Sequence, residues 1–313
     1  MILLDAMSRE LRLPQVDIVK LAKSASHHYY HFTIPKRNGG QRQIFHPSKQ
    51  LKALQRWLKV RVIDSWPVHE AAMAYRPGIN IRDNAEKHSG SSYLLRLDFR
   101  NFFSSISALD IGTYILERQP VDWNEEEIKL FSMIVCRNFC LTIGAPTSPP
   151  LSNCICVELD LLLSAIAESY ECTYTRYADD LFFSSDGKGV LGAVESDVGA
   201  VLRTLGYPSG LVFNEQKSRH SSKRGRRQVT GLVLTSDGRV SLGRSRKRRV
   251  RSMIYRLPLL TPEERLSLSG ELAFCFDIEP DFENRLVLKY GYARVKAARV
   301  GEPSNRAGNA GRR

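Results

Sequence analysis

Apolar side chains recur at helical spacing in several stretches of this chain. Ile18, Leu21, Ala22 and Ala25 share one face of a short N-terminal helix. Leu51, Leu54, Leu58 and Val62 mark another, with Lys52, Arg56 and Lys59 along a neighbouring face, so it packs inward and shows cations outward. Leu191, Val194, Val198, Val201, Leu202 and Leu205 mark a third, closed by Gly206 as a C-cap. Runs rich in β-branched and aromatic residues predict strands at 93–98, 173–178, 181–184, 211–213 and 228–234. Beyond 240 the chain reads helical: Thr261-Pro262-Glu263-Glu264 is a capping-box start, and helices follow at 266–276 and 282–290. Helices mixed with mainly antiparallel strands predict an α+β fold. No linker is long enough to separate independent domains, so the lobes are interleaved.

Two of the predicted strand regions end in acids. Tyr177-Ala178-Asp179-Asp180 lies between Tyr174-Thr175-Arg176 and Leu181-Phe182-Phe183, the pattern of a β-hairpin with two carboxylates at its tip. A solvated turn is the plain alternative, but such a turn has no need of apolar residues on both sides. Asp98 repeats the arrangement at the end of Tyr93-Leu94-Leu95-Arg96-Leu97. Crowded carboxylates repel, and both ionise at neutral pH only with a cation between them. Hard oxygen ligands favour Mg²⁺, and three acids suit two such ions, with Mn²⁺ as a substitute.

Composition narrows the partners. The 313 residues suffice for two or three lobes, and 42% hydrophobic with 25% charged residues is ordinary for a globular protein. No apolar run approaches a membrane span, and the first residues are too short and acidic for a secretory signal. Six cysteines lacking CxxC spacing read as buried thiols of a cytoplasmic protein rather than zinc ligands. A net charge of +13 points to a polyanion, or less economically to an anionic membrane. The cations concentrate in Lys223-Arg224-Gly225-Arg226-Arg227 and in 244–251, and acids are nearly absent from 216–262.

Asp98 in LDFRNFF, Gly144-Ala145-Pro146-Thr147-Ser148-Pro149 and YADD resemble, in order and spacing, three central motifs of reverse transcriptases. Asn84-Ala85-Glu86-Lys87-His88 and Val229-Thr230-Gly231 are similar to the NAxxH and VTG signatures of the bacterial retron branch. The resemblance runs from about Leu13 to about Tyr290. It implies a right-hand polymerase fold. On that scheme 1–90 is an N-terminal helix with fingers and 91–109 the first catalytic strand of the palm. Fingers and palm helices take 110–150, the palm with its YADD hairpin 151–238, a basic helical thumb 239–300 and a disordered tail 301–313.

The resemblance also implies roles. Asp98 and Asp179 bridge two metal ions, Asp180 assists, and the Phe99 backbone completes one ion's shell. Phe103 lies under the sugar and excludes a 2′-hydroxyl; the alternative is that Phe102 and Phe103 are core residues. Lys36 and Arg42 grip the triphosphate, or are plain surface charge. Gly144 and Ala145 form a side-chain-poor turn against the nucleotide, although Ile143 stands where many relatives carry Gln. Lys217 protonates the leaving group, or is merely exposed. RNA specificity falls to Asn84, His88, Val229, Thr230 and Gly231, with His88 open to a structural role. Arg244, Arg246, Lys247, Arg248 and Arg251 grip the duplex. The implied substrates are dNTPs and one structured noncoding RNA, copied from an internal guanosine 2′-hydroxyl into branched DNA. The RNA–DNA product and an effector protein encoded nearby are the implied partners in phage defence, with no membrane. Rival readings are a group II intron or diversity-generating reverse transcriptase, an idle RNA-binding scaffold and a metal-dependent hydrolase. Intact acids weigh against the scaffold, and the lack of a general base or His ligand against the hydrolase.

Overall fold

The computed structural model describes residues 2–35, 39–119 and 123–300. In chain order the elements are α1 (Ile2–Leu11), α2 (Gln15–Lys23), β1 (Tyr29–Pro35), β2 (Gln41–Pro47), α3 (Lys49–Arg61), α4 (Ile81–Lys87) and β3 (Tyr93–Asp98). Then come α5 (Ala108–Arg118), α6 (Glu125–Val135), α7 (Ser148–Ile155), α8 (Val157–Ser169), β4 (Thr173–Tyr177), β5 (Asp180–Ser185), α9 (Val190–Thr204) and β6 (Arg219–Ser222). The C-terminal part holds β7 (Arg227–Val229), β8 (Leu232–Leu234), β9 (Val240–Ser241), α10 (Arg244–Tyr255), α11 (Pro262–Ile278), α12 (Asp281–Tyr290) and α13 (Tyr292–Val300). The chain divides into two compact units, one of residues 1–80 and 91–222, the other of 81–90 and 223–313. Helix α4, at the end of the predicted fingers segment, is therefore grouped with the C-terminal helices.

The first unit is built on an antiparallel sheet of order β4-β5-β3-β6. Leu95, Leu97, Leu181 and Phe183 alternate onto one face and join the main core, with α8 and α9 packed on these strands. Arg96, Asp98 and Asp180 point to the other face, because successive strand residues alternate. Strands β1 and β2 pair over seven residues each as a hairpin. The Phe45 N–H donates to the Ile143 carbonyl at 2.8 Å, which seats the Gly144 turn against β2. Gly144 has φ +112°, and a Cβ there would stand 2.4 Å from the Phe45 carbonyl oxygen, so only glycine fits.

The second unit packs α4 on the three-stranded antiparallel sheet β7-β8-β9. The predicted single strand at 228–234 is two strands, because Thr230 and Gly231 are both left-handed and turn the chain so that Val229 pairs with Leu232. Residues 211–213 form no regular strand, only an isolated bridge between Phe213 and Phe99. The capping box at Thr261 is present, its hydroxyl accepting from the Glu264 N–H and the Glu264 carboxylate accepting from the Thr261 N–H. No single helix among the described residues is long and apolar enough to cross a membrane. Four of the six free cysteines are buried, and Cys140 and Cys172 are partly so. The tail beyond Val300 lies outside the described residues.

Candidate active site

Antiparallel register sets Asp98 directly opposite Asp180 on neighbouring strands. Asp179 sits in the two-residue turn between β4 and β5, whose first residue, Ala178, has φ +58°. A non-glycine residue in that conformation costs about 1 kcal/mol, a strain that clusters at functional sites. Backbone bonds bind the acids' segments together: the Phe99 N–H donates to the Asp179 carbonyl at 2.9 Å and the Asn214 N–H to the Asp98 carbonyl at 2.7 Å. Carboxylates far apart in sequence thus share one sheet end.

Two cations face them. Lys217 Nζ donates to both Asp98 oxygens, at 2.8 and 3.0 Å. Arg96 donates to Asp180 Oδ1 through Nη2 at 2.7 Å and Nε at 3.0 Å, and its Nη2 lies 3.9 Å from Asp98 Oδ2. Arg96 was missed from the sequence, although its position two residues before Asp98 on a strand puts it on the same face. Burial raises the Asp180 carboxyl to about 6 against the pull of Arg96. Asp179 is raised as well, by burial first and the charge of Asp98 second, while Lys217 and Arg42 oppose the rise.

Among the described residues no three His, Cys, Asp or Glu side chains already form a ready metal cage, the acids included. Asp98 and Asp180 pair with Lys217 and Arg96. Their chemistry fits a hard divalent cation all the same: every donor is a carboxylate oxygen, and burial with mutual repulsion holds two of the three toward protonation unless positive charge is supplied.

Beneath the turn lies a buried network that sequence reasoning did not identify. Arg176, with no exposed surface, makes a two-pronged pair with Asp160, Nε to Oδ1 at 2.8 Å and Nη2 to Oδ2 at 2.6 Å. Tyr174 donates its hydroxyl to Asp160 Oδ1 at 2.8 Å, and Arg176 Nη1 donates to Asn153 Oδ1 at 3.1 Å. Burial works hardest against the Arg176 charge, yet the charge and hydrogen bonds of Asp160, together with Cys156 and Tyr174, raise the guanidinium pKa. The Arg176 backbone also runs beside residues 71–73: its N–H donates to the Ala71 carbonyl at 2.7 Å, and the Met73 N–H donates to its carbonyl at 2.8 Å.

Other predicted residues fall as follows. Phe102 is core, whereas Phe103 is half-buried with its ring 6.4 Å from that of Tyr75. Arg42 is exposed on β2, opposite Ile34. Lys36 lies outside the described residues. Ala145 is buried beside the exposed Gly144, and Ile143 is 38% exposed.

The five residues of the NAxxH and VTG strings all belong to the second unit. Asn84, His88 and Val229 have no exposed surface, so they meet protein and not a ligand in this conformation. Thr230 donates its hydroxyl to the Ile81 carbonyl at 3.1 Å, and Arg227 Nη2 donates to the Ser89 and Thr235 carbonyls at 3.5 and 2.7 Å. The two strings form a clasp between α4 and the β7–β8 hairpin, with Gly231 at its exposed tip. Burial drives the His88 pKa down to about 3, leaving the ring neutral.

On α10 the predicted cations divide. Lys247 donates to Glu279 at 2.6 Å and Arg246 pairs with Glu271 at 3.3 Å, both largely covered. Arg249 also pairs with Glu271. Arg251 is half-buried with its guanidinium 5.6 Å from the Phe282 ring, whereas Arg244 and Arg248 are exposed one turn apart. Val250 and Ile254 anchor the helix on its apolar side.

Compared with known proteins, residues 34–243 match the family model described as reverse transcriptase (RNA-dependent DNA polymerase). The Ec83 retron reverse transcriptase of Escherichia coli is 35% identical over 91% of this chain and 93% of its own length. The Ec86 retron reverse transcriptase of the same organism is 30% identical over 91% and 87%. The Mx65 retron reverse transcriptase of Myxococcus xanthus is 34% identical over 83% of this chain and 63% of its own. Among solved structures, telomerase from Candida albicans in complex with a fragment of telomeric RNA aligns over 87% of this chain and 61% of its own. At 12% identity and a TM-score of 0.48, that likeness is too distant to bear on function.

Proposed function

The chain belongs to the reverse transcriptase family and is an RNA-directed DNA polymerase of retron type, and from that premise we propose that it copies part of one structured noncoding RNA into multicopy single-stranded DNA. Synthesis starts from the 2′-hydroxyl of an internal guanosine and leaves RNA and DNA joined by a 2′,5′ branch. The observation that carries the catalytic assignment is the register that faces Asp98 with Asp180 and hangs Asp179 from the intervening turn.

The family works with a divalent metal; our assignment is two Mg²⁺ ions, replaceable by Mn²⁺, held by Asp98, Asp179 and Asp180 with the Phe99 backbone. Bound there, such ions lower the pKa of the attacking hydroxyl and neutralise charge on the triphosphate. The residues of the chain do the rest. Lys217 and Arg96 balance the acids beforehand, and Lys217, freed from Asp98, holds a proton for the departing pyrophosphate. Arg42 grips the triphosphate from the β1–β2 hairpin, and Lys36 is assigned to the same task. Phe103 lies under the sugar, where a 2′-hydroxyl would collide with its ring. The Gly144–Ala145 turn offers a surface without bulky side chains.

The RNA template lies against the basic second unit, through Arg244 and Arg248 of α10 and the exposed Gly231 tip. The product and an effector protein encoded nearby act in anti-phage defence in the cytoplasm.

Protein purified with its nucleic acid tests this reading. The expected species is sensitive to both RNase and DNase, and Asp179→Ala removes the DNA while RNA still co-purifies. DNA surviving that substitution sinks the catalytic assignment. A linear product without a branch favours a group II intron or diversity-generating lineage.

A further inference from the structure

Tyr75 is a bulky aromatic left about half exposed. It is 47% exposed, and its φ of +61° is a left-handed conformation that a tyrosine rarely adopts. Its hydroxyl makes no hydrogen bond to any described residue. Yet the segment carrying it is tied down on every side. Residues 71–73 bond to the Arg176 backbone, Asn153 Nδ2 donates to the Ala74 carbonyl at 2.7 Å, and Arg76 Nη1 donates to the carbonyls of Glu70 and Ala72 at 3.2 and 3.3 Å. The buried Arg176–Asp160 pair holds Asn153 in the same network, and Arg176 reaches the Ala178 carbonyl at 3.5 Å. One rigid assembly therefore sets both the acid-bearing turn and Tyr75.

What Tyr75 faces gives that rigidity a use. Its ring centroid is 6.4 Å from Phe103, at the exposed end of an aromatic row that runs inward through Phe102 and Phe99 to Phe213. Phe102 and Phe99 are core, Phe103 and Phe213 are half-buried, and Tyr75 is the exposed member of the row. Strain on the backbone, a buried ion pair beneath and an unbonded exposed ring belong together when the ring meets a ligand.

We propose that Tyr75 is a specificity-determining residue of the nucleotide site, its ring forming with Phe103 a two-sided wall against the sugar of the incoming deoxynucleotide. This rests on the polymerase reading above. Phe103 supplies the face beneath the sugar, and Tyr75 limits how far the sugar can shift to spare a 2′-hydroxyl. Flat, stiff faces discriminate shape better than a flexible side chain of equal volume.

The test is steady-state kinetics on a poly(rA)–oligo(dT) primer–template with dTTP and UTP, comparing wild type with Tyr75→Ala, Tyr75→Leu and Tyr75→Phe. The expected result is a roughly tenfold rise in KM for dTTP and a similar rise in relative UTP use for Ala and Leu, with kcat within about twofold. Tyr75→Phe keeps wild-type values, since the ring and not the hydroxyl does the work. Unchanged KM and unchanged UTP use in Tyr75→Ala overturn the proposal. So does a fall in kcat and thermal stability shared equally by all three variants, the mark of a purely structural residue. Wild type that incorporates no dTTP overturns the polymerase reading itself, an outcome visible before any variant is compared.

Discussion

Lys217 lays its ammonium across both oxygens of Asp98, at 2.8 and 3.0 Å. Asp98 is almost wholly buried and the lysine is half-exposed, so the cation covers the anion from the solvent side. A metal ion entering this site competes with that lysine. Lys217→Met should therefore bind Mn²⁺ several-fold more tightly in calorimetric titration, while lowering the rate of nucleotide addition. Equal affinity in variant and wild type would show that the ion pair does not guard the acid.

The Arg176–Asp160 pair has no contact with solvent. Breaking a buried pair strands one charge, at about 3–5 kcal/mol. Asp160→Leu should lower urea stability by that amount, and Arg176→Met by a similar one. The double variant Arg176→Met/Asp160→Leu should lose less than the sum of the two, because it leaves no orphan charge. Simple additivity in urea melts would argue that the two side chains act separately.

His88 gives the second unit a pH-dependent stability. Its pKa is about 3 in the fold and near 6.5 when unfolded, so the folded state refuses a proton that the unfolded chain accepts. Stability is complete above pH ~6.5 and falls as pH drops from there toward 3, by a few kcal/mol at ~1.4 kcal/mol per unit. His88→Gln removes the titration and should flatten the acid limb of stability against pH. An acid limb unchanged in that variant assigns the sensitivity elsewhere.

The cations of α10 should separate by assay. Arg244→Gln and Arg248→Gln are expected to weaken RNA binding and reduce the salt slope by about one each. Arg246→Gln and Lys247→Gln break pairs with Glu271 and Glu279 and should instead lower thermal stability, with the salt slope nearly unchanged. Identical salt slopes in all four would remove the distinction.

The division between these two groups shows how far a linear reading reaches. Helical spacing along α10 puts Val250 and Ile254 on one apolar side, because a helix fixes which residues share a face. It could not tell Arg248 from Lys247, because the acid that neutralises Lys247 stands on another part of the chain, at Glu279. The NAxxH and VTG strings were legible as signatures, but not as two halves of one buried clasp. Their contact depends on α4 joining a unit whose other members begin at residue 223.

The three acids of the candidate site divide the same way. Local sequence alone determined the strand that ends at Asp98, the hairpin that carries Asp179 and Asp180, and the hard-oxygen character of the donors, since alternation, turn chemistry and ligand type are all local properties. Tertiary structure alone decided that Asp98 faces Asp180, that Lys217 and Arg96 pair with them, and that Arg176 braces both the turn and Tyr75. Those are pairings across distance, and a charge or ring acquires its role only from what folding brings against it.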